Sequence, residues 1–230
     1  ATISIESGEK TSIFGGFMAA EILNVHHETP ELRKIQKVAE ALKEGAVILY
    51  PTDTGFSLGC ELSNKEAISK LRLIRKLPEN KALTFICDSL SNIADFAKVS
   101  NLAYKTIRRL IPGPYTFILT ASKLVPKFAQ DPKRKTSGIR VPNNDLSRLL
   151  IKYVEHPIIS ISAKIEDNPV PSPQEIIDYY SPMVDIAMVS DEYTFLGEST
   201  VIDMTTDDFK IIRVGAGYDE LKQIIDISEE

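Results

Sequence analysis

Tryptophan is absent from the 230-residue sequence, which holds only two cysteines and three histidines. Cys60 and Cys87 are not spaced as a metal-binding or redox pair, and both end apolar strand-like runs, so we expect two buried thiols. No apolar run approaches the ~20 residues that a membrane-spanning helix needs. The start of the sequence lacks the basic and apolar segments of a secretory signal. These absences predict a cytoplasmic protein that does not contact a membrane.

Signatures of common catalytic sites are also missing. The sequence has no phosphate loop of the Gly-Lys-Ser type, no glycine-rich dinucleotide fingerprint and no His-Glu-x-x-His zinc motif. His26, His27 and His156 lie outside the motifs described below, so we do not expect them to act as general bases. The sequence therefore predicts no metal site and no permanently bound cofactor.

The length fits one sizeable domain or two small ones, and no repeat or long linker divides the chain. We predict that residues 19–230 form one domain. Residues 1–18 are predicted to be a disordered extension, with Met18 as a candidate for the native first residue.

Charge is distributed unevenly along the chain. Between Lys65 and Arg140 there are 16 Lys or Arg and 5 Asp or Glu, out of 27 and 32 in the whole sequence. Such an asymmetry favours a cationic surface or cleft that faces an anionic ligand. The alternative is that these side chains only solvate helix faces.

The stretch from Ala46 to Cys60 organises the sequence. Ala46–Tyr50 is a short apolar run rich in β-branched residues, which predicts a strand buried on both faces. Pro51 cannot donate to a ladder and ends the strand, and Thr52–Gly55 follows at its tip. Open α/β sheets bind ligands at such strand ends, but this tip is also favourable turn chemistry. The pattern alone leaves both roles open.

Apolar periodicity alternates between helices and strands along the chain. It predicts helices near residues 30–44, 64–77, 101–110, 145–154, 172–180 and 218–227, and further strands near 82–87, 115–119, 137–141, 157–162, 184–189, 199–204 and 209–214. Pro30 and Ser63 are predicted to mark the starts of the first two helices. Several strand connections are too short for a crossover helix, so parallel and antiparallel pairing should mix. We predict an α/β (α+β) fold in which one domain is built on a mixed, twisted sheet.

Two basic stretches and one strand end are candidates for anion binding. Arg75–Lys81 places cations at a helix end, where they either bind phosphate or complement the helix C-terminus. Lys133–Lys135 precedes Ser137 and Gly138, whose backbone N–H groups could face a phosphate, with a solvated loop as the alternative. Ile158–Lys164 ends a strand with hydroxyl groups on one face.

Five motifs together resemble the YrdC/YciO family. They are P-T-D-T-G-F-S-L-G-C from Pro51, P-G-P-Y-T from Pro112, S-G-I-R-V-P from Ser137, S-I-S-A from Ser160 and S-T-V-I-D from Ser199. Their order and spacing match the family over roughly residues 24–217. The resemblance implies a three-layer α/β fold with a mixed, twisted sheet around a deep cationic cleft. It also implies affinity for double-stranded RNA or tRNA.

The best-known members of that family are threonylcarbamoyl-AMP synthases. They join L-threonine, bicarbonate and ATP into an adenylate that is used to make threonylcarbamoyladenosine in tRNA. ATP would bring Mg²⁺ with it. Attack on the α-phosphate depends more on positioning and fixed cations than on a general base, so we assign no catalytic residue.

The resemblance implies three groups of binding residues. The threonine pocket would be formed by Thr52, Phe56 and Thr116. The nucleotide and its phosphates would be held by Arg75, Lys81, Arg140, Ser160, Ser162 and Arg213. RNA would be bound by Lys133, Arg134 and Lys135.

Two positions depart from the synthase pattern. Leu77 stands where the synthases carry an arginine, and Lys164 stands where they carry an asparagine. The Arg-x-Leu-Pro motif that begins at Arg75 is typical of the YciO branch. The resemblance therefore leaves three functions open: a YciO-type protein that binds RNA and a nucleotide without efficient synthesis, a working synthase, or an enzyme that breaks down the same threonylcarbamoyl group.

Overall fold

The structure, a computed structural model, describes residues 20–225. The predicted disordered extension, residues 1–18, lies outside this range. The helices are α1 Leu32–Lys43, α2 Lys65–Ile74, α3 Leu90–Phe96, α4 Asn101–Leu110, α5 Asp145–Val154, α6 Pro173–Tyr180 and α7 Tyr218–Ile224, with a short 3-10 helix at Lys127–Ala129. The strands are β1 Glu21–Val25, β2 Ile48–Pro51, β3 Phe56–Gly59, β4 Thr84–Ile86, β5 Ala97–Lys98, β6 Tyr115–Ala121, β7 Thr136–Arg140, β8 Ile158–Ile159, β9 Ile161–Ser162, β10 Ile186–Ser190, β11 Thr200–Asp203 and β12 Lys210–Arg213.

The strands form two mixed sheets where the sequence predicted one. The first sheet has the order β1-β10-β2-β3-β9, and the second has the order β12-β11-β6-β7-β4-β8. The predicted strand over residues 157–162 divides at Ser160, so that β8 joins the second sheet and β9 joins the first. The α/β class and the mixed strand pairing are confirmed, and the division at Ser160 explains the second sheet.

The core confirms the prediction for strand β2. Ile48 and Tyr50 pack with α1 and α5 on one face, whereas Val47 and Leu49 belong to the larger core that includes residues of α2 and of the second sheet. All four side chains are fully buried. In a strand with both faces covered, every side chain is buried and polar residues do not alternate with apolar ones. This explains the continuous apolar run in the sequence.

Two predicted helix starts are wrong by one or two residues. Helix α1 begins at Leu32 with Glu31 as its N-cap, so Pro30 lies before the helix. Helix α2 is capped by Asn64, whose side chain accepts a hydrogen bond from the Ala67 N–H at 2.9 Å. The Ser63 hydroxyl instead donates to the Glu61 carboxylate. The N-cap of α2 is therefore Asn64 and not Ser63, and the Asn64 side chain accepts from a free N–H group of the first turn.

Both cysteines are buried free thiols, as predicted, and burial raises the pKa of each. In the part of the chain that the structure describes, the helices are too short or too polar to cross a membrane.

A buried ion pair joins the ends of the two sheets. Arg140 closes β7 of the second sheet, and Asp53 follows β2 of the first; their side chains are 5% and 2% exposed. The second carboxylate oxygen of Asp53 accepts the backbone N–H of Asn143 at 3.0 Å. Since both charges are shielded from water, each depends on the other for its compensation.

We therefore expect the substitution Asp53→Asn to lower the free energy of unfolding by about 3–5 kcal/mol, because it leaves the Arg140 guanidinium buried without a counter-charge. Urea denaturation followed by circular dichroism measures the change. The control is Glu21→Gln, which breaks an exposed ion pair with Lys37 and should change stability little. Equal, small effects of the two substitutions would contradict the structural role of the pair.

Candidate functional site

A cavity of about 650 Å³ opens beside the ends of β3 and β9. One wall comes from the Thr52–Gly55 turn and the start of β3, and the others come from the segments after β9 and before β11. Its lining residues are Thr54, Gly55, Phe56, Ser162, Ala163, Lys164, Ile165, Asn168, Pro169, Val170, Pro171, Pro173, Ile176, Phe195, Gly197 and Glu198. Among the residues predicted to bind ligand, Phe56 and Ser162 line this cavity directly.

Thr52 stabilises the turn at the tip of β2. Its hydroxyl donates to the Gly55 carbonyl at 2.7 Å and accepts the backbone N–H groups of Thr54 and Gly55. Its side chain is buried, and the neighbouring Thr54 and Gly55 face the cavity instead. The Thr52 hydroxyl therefore stabilises the turn, and the cavity lies next to it. The assignment of Thr52 to a threonine pocket stays a prediction.

Arg140 lies behind the cavity wall and is fixed by two side chains of that turn, those of Asp53 and Thr54. One guanidinium nitrogen contacts the Asp53 carboxylate, and the other donates to the Thr54 hydroxyl at 2.9 Å. Its Nε is buried and has no hydrogen-bond partner among the described residues. Arg140 thus positions Thr54. Among the residues that line the cavity, Thr54 is the one to which the Arg140 guanidinium donates a hydrogen bond.

Aromatic rings form one side of the cavity. Phe56 packs against Tyr193 and Phe195 with ring centroids 5.0 and 5.3 Å apart, and Phe56 and Phe195 both line the cavity. Phe56 is therefore part of the cavity wall, while its assignment to a threonine pocket stays a prediction. A flat apolar wall of this kind suits a ligand that contains a planar ring.

Ser160 and Ser162 play different parts. The buried Ser160 hydroxyl donates to the Ser57 hydroxyl at 3.0 Å, so it is satisfied within the protein. Ser162 lies at the cavity, and its carbonyl accepts a hydrogen bond from Arg75 Nε at 2.8 Å. Arg75, which follows the end of α2 as predicted, therefore lies directly behind the end of β9.

A chain of polar contacts links Thr116 to the cavity. The Thr116 hydroxyl is 2.7 Å from the Ser199 hydroxyl, and Arg213 donates to the Ser199 carbonyl at 2.9 and 3.0 Å. Arg213 is also 3.8 Å from the carboxylate of Glu198, which forms an ion pair with Lys164 across the cavity lining. The hydrogen bond from Lys164 lowers the pKa of Glu198. The cations at this end of the cavity are thus already paired with an anionic side chain of the protein.

Lys81 lies in an exposed loop that a buried arginine holds in place. Arg72 donates to the backbone carbonyls of Pro78 and Lys81, at 2.9 and 2.8 Å, and to the carbonyl of Phe128. Among the described residues, the Lys81 side chain has no hydrogen-bond or ion-pair partner. The sequence did not indicate that Arg72 is buried, because a cation on a helix normally faces solvent.

Lys133–Lys135 lies at the opposite end of β7 from Arg140. Arg134 forms an ion pair with Asp203 at 2.8 Å, and Lys135 donates to the Pro132 carbonyl at 2.6 Å. Neither these residues nor Lys133 lines the 650 Å³ cavity. Lys135 borders a second concavity, of about 470 Å³, whose other lining residues are Ala121, Ser122, Lys123, Val125, Lys127, Gln130, Asp131 and Pro132.

The predicted phosphate contact of Ser137 and Gly138 is wrong. Both residues lie in the middle of β7, which pairs with β4 on one side and with β6 on the other. A Cβ atom at position 138 would lie 2.8 Å from Thr84 Oγ1 and 3.1 Å from Thr116 Cγ2. The glycine is needed for this close approach of strands, and its backbone N–H is not a free donor.

The sequence analysis missed two residues of the site, Phe195 and Glu198. They lie beside Lys164 only because the segment before β11 folds over the end of β9. The segment from Tyr193 to Glu198 has no helical or strand periodicity, so its structure could not be predicted from pattern. The spacing of Tyr193 and Phe195, two residues apart, was the one feature that could have indicated a packed aromatic face.

Comparison with known proteins places this chain in a family. Residues 40–215 match the profile of the Sua5/YciO/YrdC family, which is described as "Telomere recombination". An uncharacterized protein of Haemophilus influenzae is 38% identical over 201 residues, which cover 86% of this chain and 97% of that protein. The protein YciO of Escherichia coli is 34% identical over 200 residues, with the same two coverages. A threonylcarbamoyl-AMP synthase of Vibrio vulnificus is 31% identical over 134 residues, which cover 57% of this chain and 72% of that protein.

Solved structures agree with the sequence matches. The crystal structure of E. coli YciO has a TM-score of 0.78 at 34% identity and covers 85% of this chain and 96% of that one. The crystal structure of Pyrococcus abyssi Sua5 complexed with L-threonine has a TM-score of 0.82 at 27% identity, covering 90% of this chain and 61% of that one. The profile, the identities and the fold agree: this chain belongs to the Sua5/YciO/YrdC family.

Proposed function

We propose that the 650 Å³ cavity binds ATP or a threonylcarbamoyl nucleotide. The proposal is supported by the chemical character of the residues that line this cavity. An aromatic wall, formed by Phe56 and Phe195, faces polar and charged groups of Thr54, Ser162 and Lys164 within one concave site. Its volume lies in the range of small-molecule sites, about 300–1,000 Å³, and ATP would enter with Mg²⁺ bound to its phosphates.

Relatives support this choice of ligand. A Sua5 structure of the same fold was determined in complex with L-threonine, and a related protein carries the name threonylcarbamoyl-AMP synthase. Family membership therefore favours a nucleotide and threonine over an unrelated ligand pair.

The two departures from the synthase pattern support binding without efficient synthesis. Leu77 is partly buried and packs against the main core, so this position supplies no cation to a phosphate. Lys164 is neutralised by Glu198, so a phosphate would have to displace a carboxylate. Since adenylate formation depends on fixed positive charge, we propose YciO-type binding as the function and synthase activity as the second candidate.

The test is ATP binding and pyrophosphate release from ATP in the presence of L-threonine and bicarbonate, measured beside P. abyssi Sua5. We expect this protein to bind ATP but to turn over at least 100-fold more slowly than Sua5. The double substitution Leu77→Arg and Lys164→Asn should raise turnover at least tenfold, because it places an arginine and an asparagine at the two positions where the synthase pattern has them.

The control is Lys152→Asn on the exposed face of α5, outside the cavity, which should leave both measurements unchanged. Turnover by the unmodified protein at the rate of Sua5 would establish the second candidate instead. Absence of ATP binding would refute the nucleotide proposal.

We further propose that RNA binds at the basic surface around the second concavity, at the start of β7. Lys123, Lys127 and Lys135 line the concavity, and the Lys133 side chain has no partner among the described residues. β7 and the residue before it span about 16 Å at about 3.3 Å per residue, which separates this surface from Arg140. Contacts to phosphates do not depend on base sequence, so a duplex RNA is a suitable partner.

Charge reversal at Lys133 and Lys135 should weaken binding of duplex RNA at least tenfold. It should also reduce the slope of log K against log salt by about 2, since two phosphate contacts are lost. Fluorescence anisotropy at several salt concentrations measures both quantities, with Lys152→Glu as the control. Binding that is indifferent to salt, or unchanged by the double reversal, would refute this surface. ATP binding should persist in the double variant.

A further inference from the structure

A cluster of imidazole and carboxylate groups lies where β1 and β10 end. The two strands are parallel, and their last paired residues are Val25 and Ser190. His26 and His27 follow the first strand, and Asp191 follows the second, so the register brings them together. One ligand atom from each of these three residues lies within 4.8 Å of the others. The cluster shares no residue with the 650 Å³ cavity.

Hydrogen bonds fix the proton on His26. Its Nδ1 accepts the backbone N–H groups of Glu28 and Thr29, each at 3.2 Å. A ring nitrogen that accepts carries no proton, so the proton of the neutral ring lies on Nε2. That nitrogen is 3.4 Å from Asp191 Oδ2. Neither nitrogen of His26 therefore presents a free lone pair to a ligand.

His27 has the opposite arrangement. Its Nδ1 is 2.8 Å from Asp191 Oδ2, and because a carboxylate only accepts, Nδ1 carries the proton. In the neutral ring the lone pair then lies on Nε2. This nitrogen is 3.2 Å from a carboxylate oxygen of Glu192 and 3.8 Å from one of Glu28. Histidines that bind metals commonly donate their other nitrogen to a carboxylate in this way.

We propose that His27 Nε2 and the carboxylate of Glu192 bind a divalent transition-metal cation, with Asp191 as the positioning residue for the ring. Two ligand atoms at bond lengths of about 2.1 Å lie about 3.4 Å apart in a tetrahedral site, and the 3.2 Å between His27 Nε2 and the Glu192 carboxylate oxygen is close to that value. The cation would also offset the repulsion among three neighbouring carboxylates.

The surroundings offer room for the remaining ligands. His27 and Glu192 border a polar cavity of about 200 Å³, whose other lining residues are Pro51, Asn143, Asn144, Asp145, Leu146, Ser190 and Thr194. Water molecules held there could complete the coordination. One imidazole nitrogen with a carboxylate favours Zn²⁺ over Mg²⁺ or Ca²⁺, which prefer oxygen ligands alone.

The test is titration calorimetry of the untagged full-length chain with Zn²⁺ and, separately, with Mg²⁺. We expect one Zn²⁺ per chain and at least tenfold weaker binding in both His27→Gln and Glu192→Gln. His26→Gln should weaken binding less than threefold, since His26 supplies no ligand atom. His156→Gln is the matched control, because it removes the one remaining histidine of the sequence, and it should have no effect.

Several results would overturn the proposal. They are no binding at Zn²⁺ concentrations up to about 100 µM, equal affinity for Mg²⁺, or unchanged Zn²⁺ binding in His27→Gln. A loss in His26→Gln as large as that in His27→Gln would overturn the assignment of the ligand atoms. Glu192 is two-thirds exposed, so Glu192→Gln tests the site without disturbing the core.

Discussion

The buried ion pair between Arg140 and Asp53 is the interaction on which the geometry of the cavity depends. It connects the end of β7 in one sheet to the turn after β2 in the other. The cost of removing both charges from water is offset only while the pair is intact. Through its bond to Thr54, the same guanidinium holds a residue of the cavity wall. The seam between the sheets and the wall of the site are therefore one structural unit.

The cations that the family resemblance assigned to ligands mostly have partners within the protein. Arg75 donates to a backbone carbonyl, Arg140 to Asp53 and Arg213 to Ser199. Lys164, which departs from the synthase pattern, is paired with Glu198. An anionic ligand at the cavity must therefore exchange places with an acceptor of the protein, and Glu198 is the one with a full negative charge. Such an exchange lowers the net gain from each phosphate contact, which is consistent with binding and slow chemistry in one site.

Local pattern was sufficient for the fold class, and the family resemblance for part of the site. Helices α4 and α5 begin and end where periodicity placed them. The position of Phe56 beside a ligand site was implied by the family resemblance, and Phe56 lies in the cavity wall. Long-range pairing was not available from pattern. A six-residue apolar run at 157–162 gives no sign that Ser160 passes from one sheet to the other. Strand β1 is largely exposed and lacks the apolar run of a buried strand. The contact of His27 with Asp191 joins residues 164 positions apart, and no spacing rule reports it.

Hydrogen exchange measured by mass spectrometry, with and without ATP and Mg²⁺, tests most directly whether the 650 Å³ cavity is the nucleotide site. We expect slower exchange in the presence of ATP over residues 52–56, 162–173 and 193–198, which form the cavity walls. Exchange over residues 133–135, on the basic surface at the far end of β7, should not change. Protection confined to that surface, or absent from all three wall segments although ATP is bound, would contradict the account.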